Sequence, residues 1–407
     1  MYSRSFLALL ALGAALPALA QTGGSAPATT PPAAAVPTVQ PAPVAPQLQA
    51  DWSKDEAREL LRFAEGIGAE GLDPADYGLD RLREAIEEGG EDLDRTASAT
   101  FNKVASDLSF GHVRGDARID WYVKDDNINV YDQQALLERA VKGDVAETLR
   151  SLLPTHPQYA ALKELLASTT DKAMRDKVRL NLERWRWLPR DLGKKYVIVN
   201  VPAYTVSLVE AGQTLSRRRA VAGALKTPTP QLSATITGAI FNPWWEVPKS
   251  IEPEVRGKKG YVAVKDEAGK VVRWRQPPGP SNALGRVKLV MYNPHAIYLH
   301  DTNARNLFNR QARAFSHGCI RTEDAVGFAA TLLEGSEWSR AKIDQSLASG
   351  KSVQANLAAP VPVYIVYFTV AATSDGPPMS YADMYGRDRS VLTALNATGG
   401  STALASN

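Results

Sequence analysis

The sequence predicts an α+β protein, with an all-α N-terminal domain followed by a β-rich domain. Between Asp51 and about Lys172, apolar residues recur at helical spacing and strong strand signals are absent. From about Asp176, short β-branched runs separated by Pro and Gly turns take over. The only cysteine, Cys319, lies on a turn in this second region, beside a histidine.

Arg4, the apolar run Phe6 to Ala15 and the small-residue pattern Ala18-Leu19-Ala20 predict a signal peptide over residues 1–20. That run is short of the ~20 residues a membrane anchor needs. No cysteine follows the cleavage site, which excludes a lipoprotein. Residues 21–50 are nearly all Ala, Pro, Thr, Val, Gln and Gly, a composition that forms a disordered spacer rather than a core.

Residues 51–175 read as a helical domain. Ser53 and Glu56 form a capping box, and Ala57, Leu60, Leu61, Ala64 and Ile67 give one apolar face. Gly71-Leu72-Asp73-Pro74 breaks the pattern before Leu79, and further helices are expected over Ala97 to Leu108, Gln134 to Val141 and Gln158 to Leu166. A last helix runs from Arg175 to Trp187. In Arg184-Trp185-Arg186-Trp187 the tryptophans are expected in the core and the arginines outside.

Residues 176–372 read as a β-dominated domain. Strands are expected at 196–201, 204–209, 219–224, 234–241, 286–291, 296–300 and 363–370, with one helix after the cysteine, Glu323 to Leu333. The Lys-, Pro- and Gly-rich stretch of about 244–284 reads as a cap insertion. Val361 to Ala372 is apolar but has strand length, so no stable membrane span is expected after signal cleavage. Residues 373–407 form a tail expected to be ordered in part. The net charge of +3 carries no nucleic-acid or membrane footprint, and Arg217-Arg218-Arg219 reads as a solvated strand end.

The chemistry concentrates around Cys319. A free thiol is mostly protonated at neutral pH and needs a base or an electrostatic push to become a nucleophile. His300, at the end of a strand, is the candidate base. A helix starting near Thr322 is expected to turn its positive end toward Cys319. Gly318 removes bulk where backbone N–H groups would meet an oxyanion, His317 is expected beside that region, and Arg321 suits a substrate carboxylate. Two other readings stand beside nucleophilic catalysis: an inert buried thiol, and a zinc site of His295, His300, His317 and Cys319. The odd separation of His295 and His300 puts them on opposite faces of one strand, which argues against zinc.

Tyr298-Leu299-His300-Asp301-Thr302, followed by Ala314-Phe315-Ser316-His317-Gly318-Cys319-Ile320-Arg321, resembles the L,D-transpeptidases with a YkuD-type catalytic domain. Asn181 to Pro189, Phe241 to Trp245 and Asn282 to Arg286 look like the larger periplasmic Gram-negative members. Gly71 to Pro74 and Leu108 to His112 look like their scaffold domain. The resemblance implies Cys319 as nucleophile and His300 as base, with the Asp301 backbone carbonyl orienting the histidine. It implies that Ser316, His317 and Gly318 shape the oxyanion pocket, and that Arg321, Tyr298 and Trp245 bind substrate. It implies a periplasmic, carbapenem-sensitive enzyme joining peptidoglycan stem peptides through a cysteine thioester, with no metal or organic cofactor. Other cell-wall synthesis proteins are candidate partners. An L,D-carboxypeptidase or endopeptidase using the same cysteine, and a non-catalytic wall-binding scaffold protein, remain the alternatives. The sequence departs from the larger relatives in one respect: Leu165-Leu166-Ala167 runs almost directly into the Arg175 helix, leaving no room for their peptidoglycan-binding module.

Overall fold

The capping box at Ser53 opens the first helix: Glu56 N–H donates to Ser53 Oγ at 3.2 Å, and Ser53 N–H donates to Glu56 Oε2 at 2.9 Å. The structure, a computed structural model, describes residues 48–124, 130–373 and 376–397. The expected signal peptide and the expected spacer up to residue 47 lie outside the described residues, as do 398–407 of the expected tail. The last three spacer residues are not loose. Asn102 Nδ2 donates to Leu48 O at 2.9 Å and Ala50 N–H to Ser98 Oγ at 3.1 Å, tying them to a helix.

The helical part comprises α1 (Lys54–Glu65), α2 (Leu79–Glu88), α3 (Gly90–Phe110), α4 (Val130–Ala140), α5 (Val145–Arg150), α6 (Pro157–Ser168) and α7 (Lys172–Arg186). Leu60, Leu82, Phe101 and Val104 are fully buried in its core. The region also supplies a two-residue strand, β1 (Trp121–Tyr122), too short to leave a periodicity in the sequence.

The arginines of α7 correct the sequence reading. Arg184 and Arg186 are as buried as Trp185 and Trp187, none above 2% exposed. The C-terminal half of helix α7 has no solvent face: Leu180 and Trp187 pack into the helical core, while Leu182 and Trp185 pack against Tyr364 and Phe368 of the β-rich part. Each guanidinium is paired instead, Arg186 with Glu183 at 2.7 Å and Arg184 with Asp388 at 2.7 Å.

The β-rich part starts with β2 (Lys195–Asn200), β3 (Thr205–Glu210), β4 (Gln213–Gly223) and β5 (Gln231–Phe241). The expected cap is an ordered unit: β6 (Trp245–Glu246), α8 (Glu252–Val255), β7 (Val262–Lys265) and β8 (Val271–Gln276) form a small antiparallel sheet over Val247, Ile251 and Val255. There follow β9 (Val287–Met291), β10 (Leu299–His300), β11 (Ala314–Ser316), β12 (Ile320–Thr322), α9 (Ala325–Leu332), α10 (Arg340–Ala348) and β13 (Val353–Val366). Helix α10, which buries Ile343 and Leu347, was not expected from the sequence.

The main sheet runs β1-β5-β13-β2-β3-β4-β12-β10-β9, and β9 also pairs with β5, so eight strands close on themselves. Closure leaves no free edge among those eight. Strand β1 joins in parallel beside β5, with Trp121 opposite Gln231, so the helical part contributes directly to the sheet. The C-terminal stretch adds β14 (Val370–Thr373), β15 (Gly376–Ser380) and α11 (Asp388–Leu395). Val391 and Leu395 of α11 insert into the helical core. No helix among the described residues is long and apolar enough to cross a membrane.

Candidate active site

Strand alternation decides which side chains meet. Strands β10 and β12 run parallel with Leu299 opposite Ile320 and His300 opposite Arg321. Leu299 and Ile320 are fully buried in the core. Successive residues point to opposite faces, so Tyr298, His300, Cys319 and Arg321 share the other face. Strand β9 adds a fifth residue. Its Val287 and Leu289 enter the core, and Lys288 lies opposite His300 on the ladder.

These residues floor a cleft of about 350 Å³ lined by Tyr298, His300, Cys319 and Arg321 below and by Trp245 and Glu254 of the cap above. His300 is almost wholly buried, with Nδ1 hydrogen-bonded to the Asp301 backbone carbonyl. The Nδ1–H tautomer that donates this bond leaves Nε2 with its lone pair. Burial, with Arg321 and Lys288 nearby, lowers the His300 pKa to about 3, so the ring stays neutral at physiological pH. A neutral imidazole with one nitrogen committed is a base in waiting.

Cys319 is partly buried, and its thiol contacts Ala296 O at 3.7 Å rather than His300. Burial pushes the thiol pKa up, while the Tyr298 backbone, Lys288, the Tyr298 side chain and Arg321 oppose that shift. Lys288 was missed by sequence reasoning. Its ammonium lies 3.9 Å from the centre of the Tyr298 ring, and burial lowers its pKa while Cys319 raises it. The signal available was the alternation Val287-Lys288-Leu289, which turns Lys288 away from the core; which strand lay beside it was not readable.

The expected helix N-terminus is absent from the site. Strand β12 separates Cys319 from α9, which begins only at Ala325, and the Asp324 side chain caps it by accepting from Gly327 N–H at 3.1 Å. The positive field at the thiol comes from the Lys288 and Arg321 side chains instead.

His317 lines the cleft on the side of the cap. It is exposed, and Nε2 lies 3.2 Å from Glu254 Oε1 of α8, bridging the turn and the cap. Ser316 organises the turn: its hydroxyl donates to Cys319 O at 2.5 Å and accepts from Gly318 N–H at 3.1 Å. The Gly318 N–H is therefore occupied. No hydrogen bond from the Cys319 N–H is found among the described residues, which makes it the available oxyanion donor.

Asp301 points away from the histidine. Its carboxylate accepts from Arg286 N–H at 2.8 Å and pairs with Arg305 at 3.0 Å. Gly285, at φ +62°, leaves it room: a Cβ there would lie 2.5 Å from the Asp301 carboxyl carbon. Arg321 keeps a buried Nε without a partner. The Trp245 ring packs 6.1 Å from that of Tyr261, roofing the cleft above Tyr298.

His295 corrects the parity argument made from sequence. It sits in the loop before β10, not on the strand, and lines the same cleft as His300. Among the described residues, no three His, Cys, Asp or Glu side chains are grouped to hold a metal ion.

Residues 194–351 match the model of the YkuD L,D-transpeptidase catalytic domain, and residues 47–166 match that of the scaffold domain. A Haemophilus influenzae protein named "Putative L,D-transpeptidase" is 29% identical over 260 residues, covering 58% of this chain and 52% of its own length. The chain thus spans about half the length of that curated relative. An Enterococcus faecium L,D-transpeptidase structure is 14% identical over 44% of this chain and 52% of its own, with a TM-score of 0.25. A Mycobacterium smegmatis L,D-transpeptidase structure is also 14% identical, over 42% and 58%, with a TM-score of 0.23. Likenesses that low carry no argument, and the two family models carry the assignment. Residues 194–351 belong to the YkuD family of L,D-transpeptidase catalytic domains, joined to a scaffold domain at residues 47–166.

Proposed function

We propose that the chain is a periplasmic peptidoglycan L,D-transpeptidase that cross-links stem peptides through a thioester on Cys319. The observation that carries this reading is the shared sheet face. It brings the only thiol and a neutral, oriented histidine into one cleft beside two cations.

In the first half-reaction the thiol turns from Ala296 O toward His300 and gives its proton to Nε2. The thiolate attacks the carbonyl of the third, L-configured stem residue, expected to be diaminopimelate. The oxyanion is met by the Cys319 N–H. Collapse breaks the peptide bond, His300 returns the proton to the departing D-amino acid, and a thioester remains. In the second half-reaction an acceptor amine attacks that thioester, His300 takes its proton, and the proton returns to the thiolate as the new amide leaves. The unpaired Arg321 Nε–H and the cation of Lys288 favour the anionic states. The Trp245 roof and the other cap residues limit water at the thioester, which favours transfer over hydrolysis.

The test is mass analysis of products from purified tetrapeptide muropeptides. Cross-linked dimers are expected with the wild-type chain and absent with Cys319→Ala. Uncross-linked tripeptides as the only product would replace this reading with an L,D-carboxypeptidase.

A further inference from the structure

The nucleophile turn is held from behind by a buried hub that lies partly outside the catalytic-domain match. Thr229 is fully buried; its Oγ1 donates to Gly318 O at 2.8 Å and accepts from Gly223 N–H at 2.9 Å. Two residues of the C-terminal stretch hold Thr229 in turn. Thr229 N–H donates to the Tyr385 hydroxyl at 3.2 Å, and that hydroxyl donates to Gly223 O at 2.6 Å. Arg387 Nη2 donates to Thr229 O at 3.2 Å and pairs with Asp120, just ahead of β1, at 2.5 Å. The Arg387 guanidinium also lies 4.9 Å from the Tyr385 ring centre and 5.0 Å from that of Tyr367.

The oxygen that Thr229 holds belongs to the same peptide unit as the Cys319 N–H. A trans peptide is planar, with C=O and N–H pointing in opposite directions. Anchoring Gly318 O on the Thr229 side therefore aims the Cys319 N–H the other way, and that N–H has no partner among the described residues. Gly318 has φ +111°, a conformation in which a glycine peptide turns easily. Without the anchor the donor would lose its aim.

We propose that Thr229, with Tyr385 and Arg387 behind it, is a positioning device for the oxyanion donor, linked to the scaffold region through Asp120. This inference rests on the reading of Cys319 as an acyl-accepting nucleophile. It gives the C-terminal stretch a task in the reaction, although that stretch touches no substrate.

Two reactions of the same thiol separate aim from fold. Alkylation by iodoacetamide needs a thiolate but no oxyanion donor, whereas acylation by a carbapenem needs both. For Thr229→Val, acylation followed by intact-protein mass should slow by about tenfold to a hundredfold, with the alkylation rate and melting temperature held near wild type. Tyr385→Phe should show the same split in weaker form, and Thr229→Ser should restore acylation. Should Thr229→Val fail to fold, the Tyr385→Phe and Thr229→Ser pair decides. Equal slowing of both reactions, or unchanged acylation in a folded variant, would overturn the inference. A wild-type thiol that alkylates but takes no acyl group would instead overturn the functional reading on which it rests.

Discussion

Lys288 lies directly opposite His300 across the β9–β10 ladder, and its ammonium sits 3.9 Å from the centre of the Tyr298 ring. One cation thus acts on both members of the proposed catalytic pair, favouring the thiolate at Cys319 and disfavouring protonation of His300. Lys288→Met keeps most of the side-chain volume and removes the charge. Iodoacetamide alkylation of Cys319 at neutral pH should slow by roughly tenfold, and the pH at which it half-saturates should rise. An unchanged pH profile would remove Lys288 from the account.

His300 should leave no mark on the pH–rate profile between pH 5 and 8. Its pKa is lowered from 6.5 to about 3, so it is already an unprotonated base through that window. The rate should climb with the ionisation of the thiol alone. Linkage gives the matching stability effect. Between pH 6.5 and about 3 the unfolded chain holds a proton on this histidine that the native chain does not, so stability falls as pH drops through that range. His300→Asn should flatten that part of the stability curve and lower kcat by about 10² to 10⁴.

Asp301 offers its backbone carbonyl to His300 and its side chain to the fold. Asp301→Asn keeps an oxygen for the Arg286 N–H and weakens only the pairing with half-exposed Arg305. Activity should stay within about threefold, whereas losing a triad carboxylate costs about 10⁴ in kcat. Steady-state kinetics separate the two cases.

The His317–Glu254 pair joins the nucleophile turn to the cap, and both side chains are about half exposed. Such a pair contributes about 0–1 kcal/mol. Glu254→Gln should therefore change KM by less than about fivefold and leave the rate of acylation from saturating donor unchanged.

Glu183 is a fully buried charge. It accepts from Val113 N–H at 2.8 Å and Trp187 Nε1 at 2.8 Å, and it pairs with Arg186 at 2.7 Å. Glu183→Ala would strand a buried guanidinium and cost about 3–5 kcal/mol. Chemical denaturation should show that loss, with the helical part opening first.

What was legible in the sequence follows from range. That His300 and Cys319 line one cleft was readable because the motif residues are close along the chain. The change from helical to strand texture was readable because each pattern persists over many residues. Lys288 was not readable as a neighbour, since strand order in a closed sheet is set by pairings far apart in sequence. The buried arginines of α7 were misread because nothing local reveals that both faces of a helix are covered. The helix dipole was misassigned because three residues of β12, invisible as a periodicity, intervene between the thiol and α9. Thr229 and Tyr385 carried no signal of their own; only the folded chain brings them behind Gly318.

The central claim is that Cys319 carries the acyl group. Intact-protein mass spectrometry of the chain mixed with a disaccharide-tetrapeptide donor tests it most directly. The account predicts a mass gain equal to the donor less its terminal D-amino acid, mapped to the peptide containing Cys319 and absent in Cys319→Ala. A donor that is consumed with no adduct at Cys319, or turnover that persists in Cys319→Ala, would contradict it.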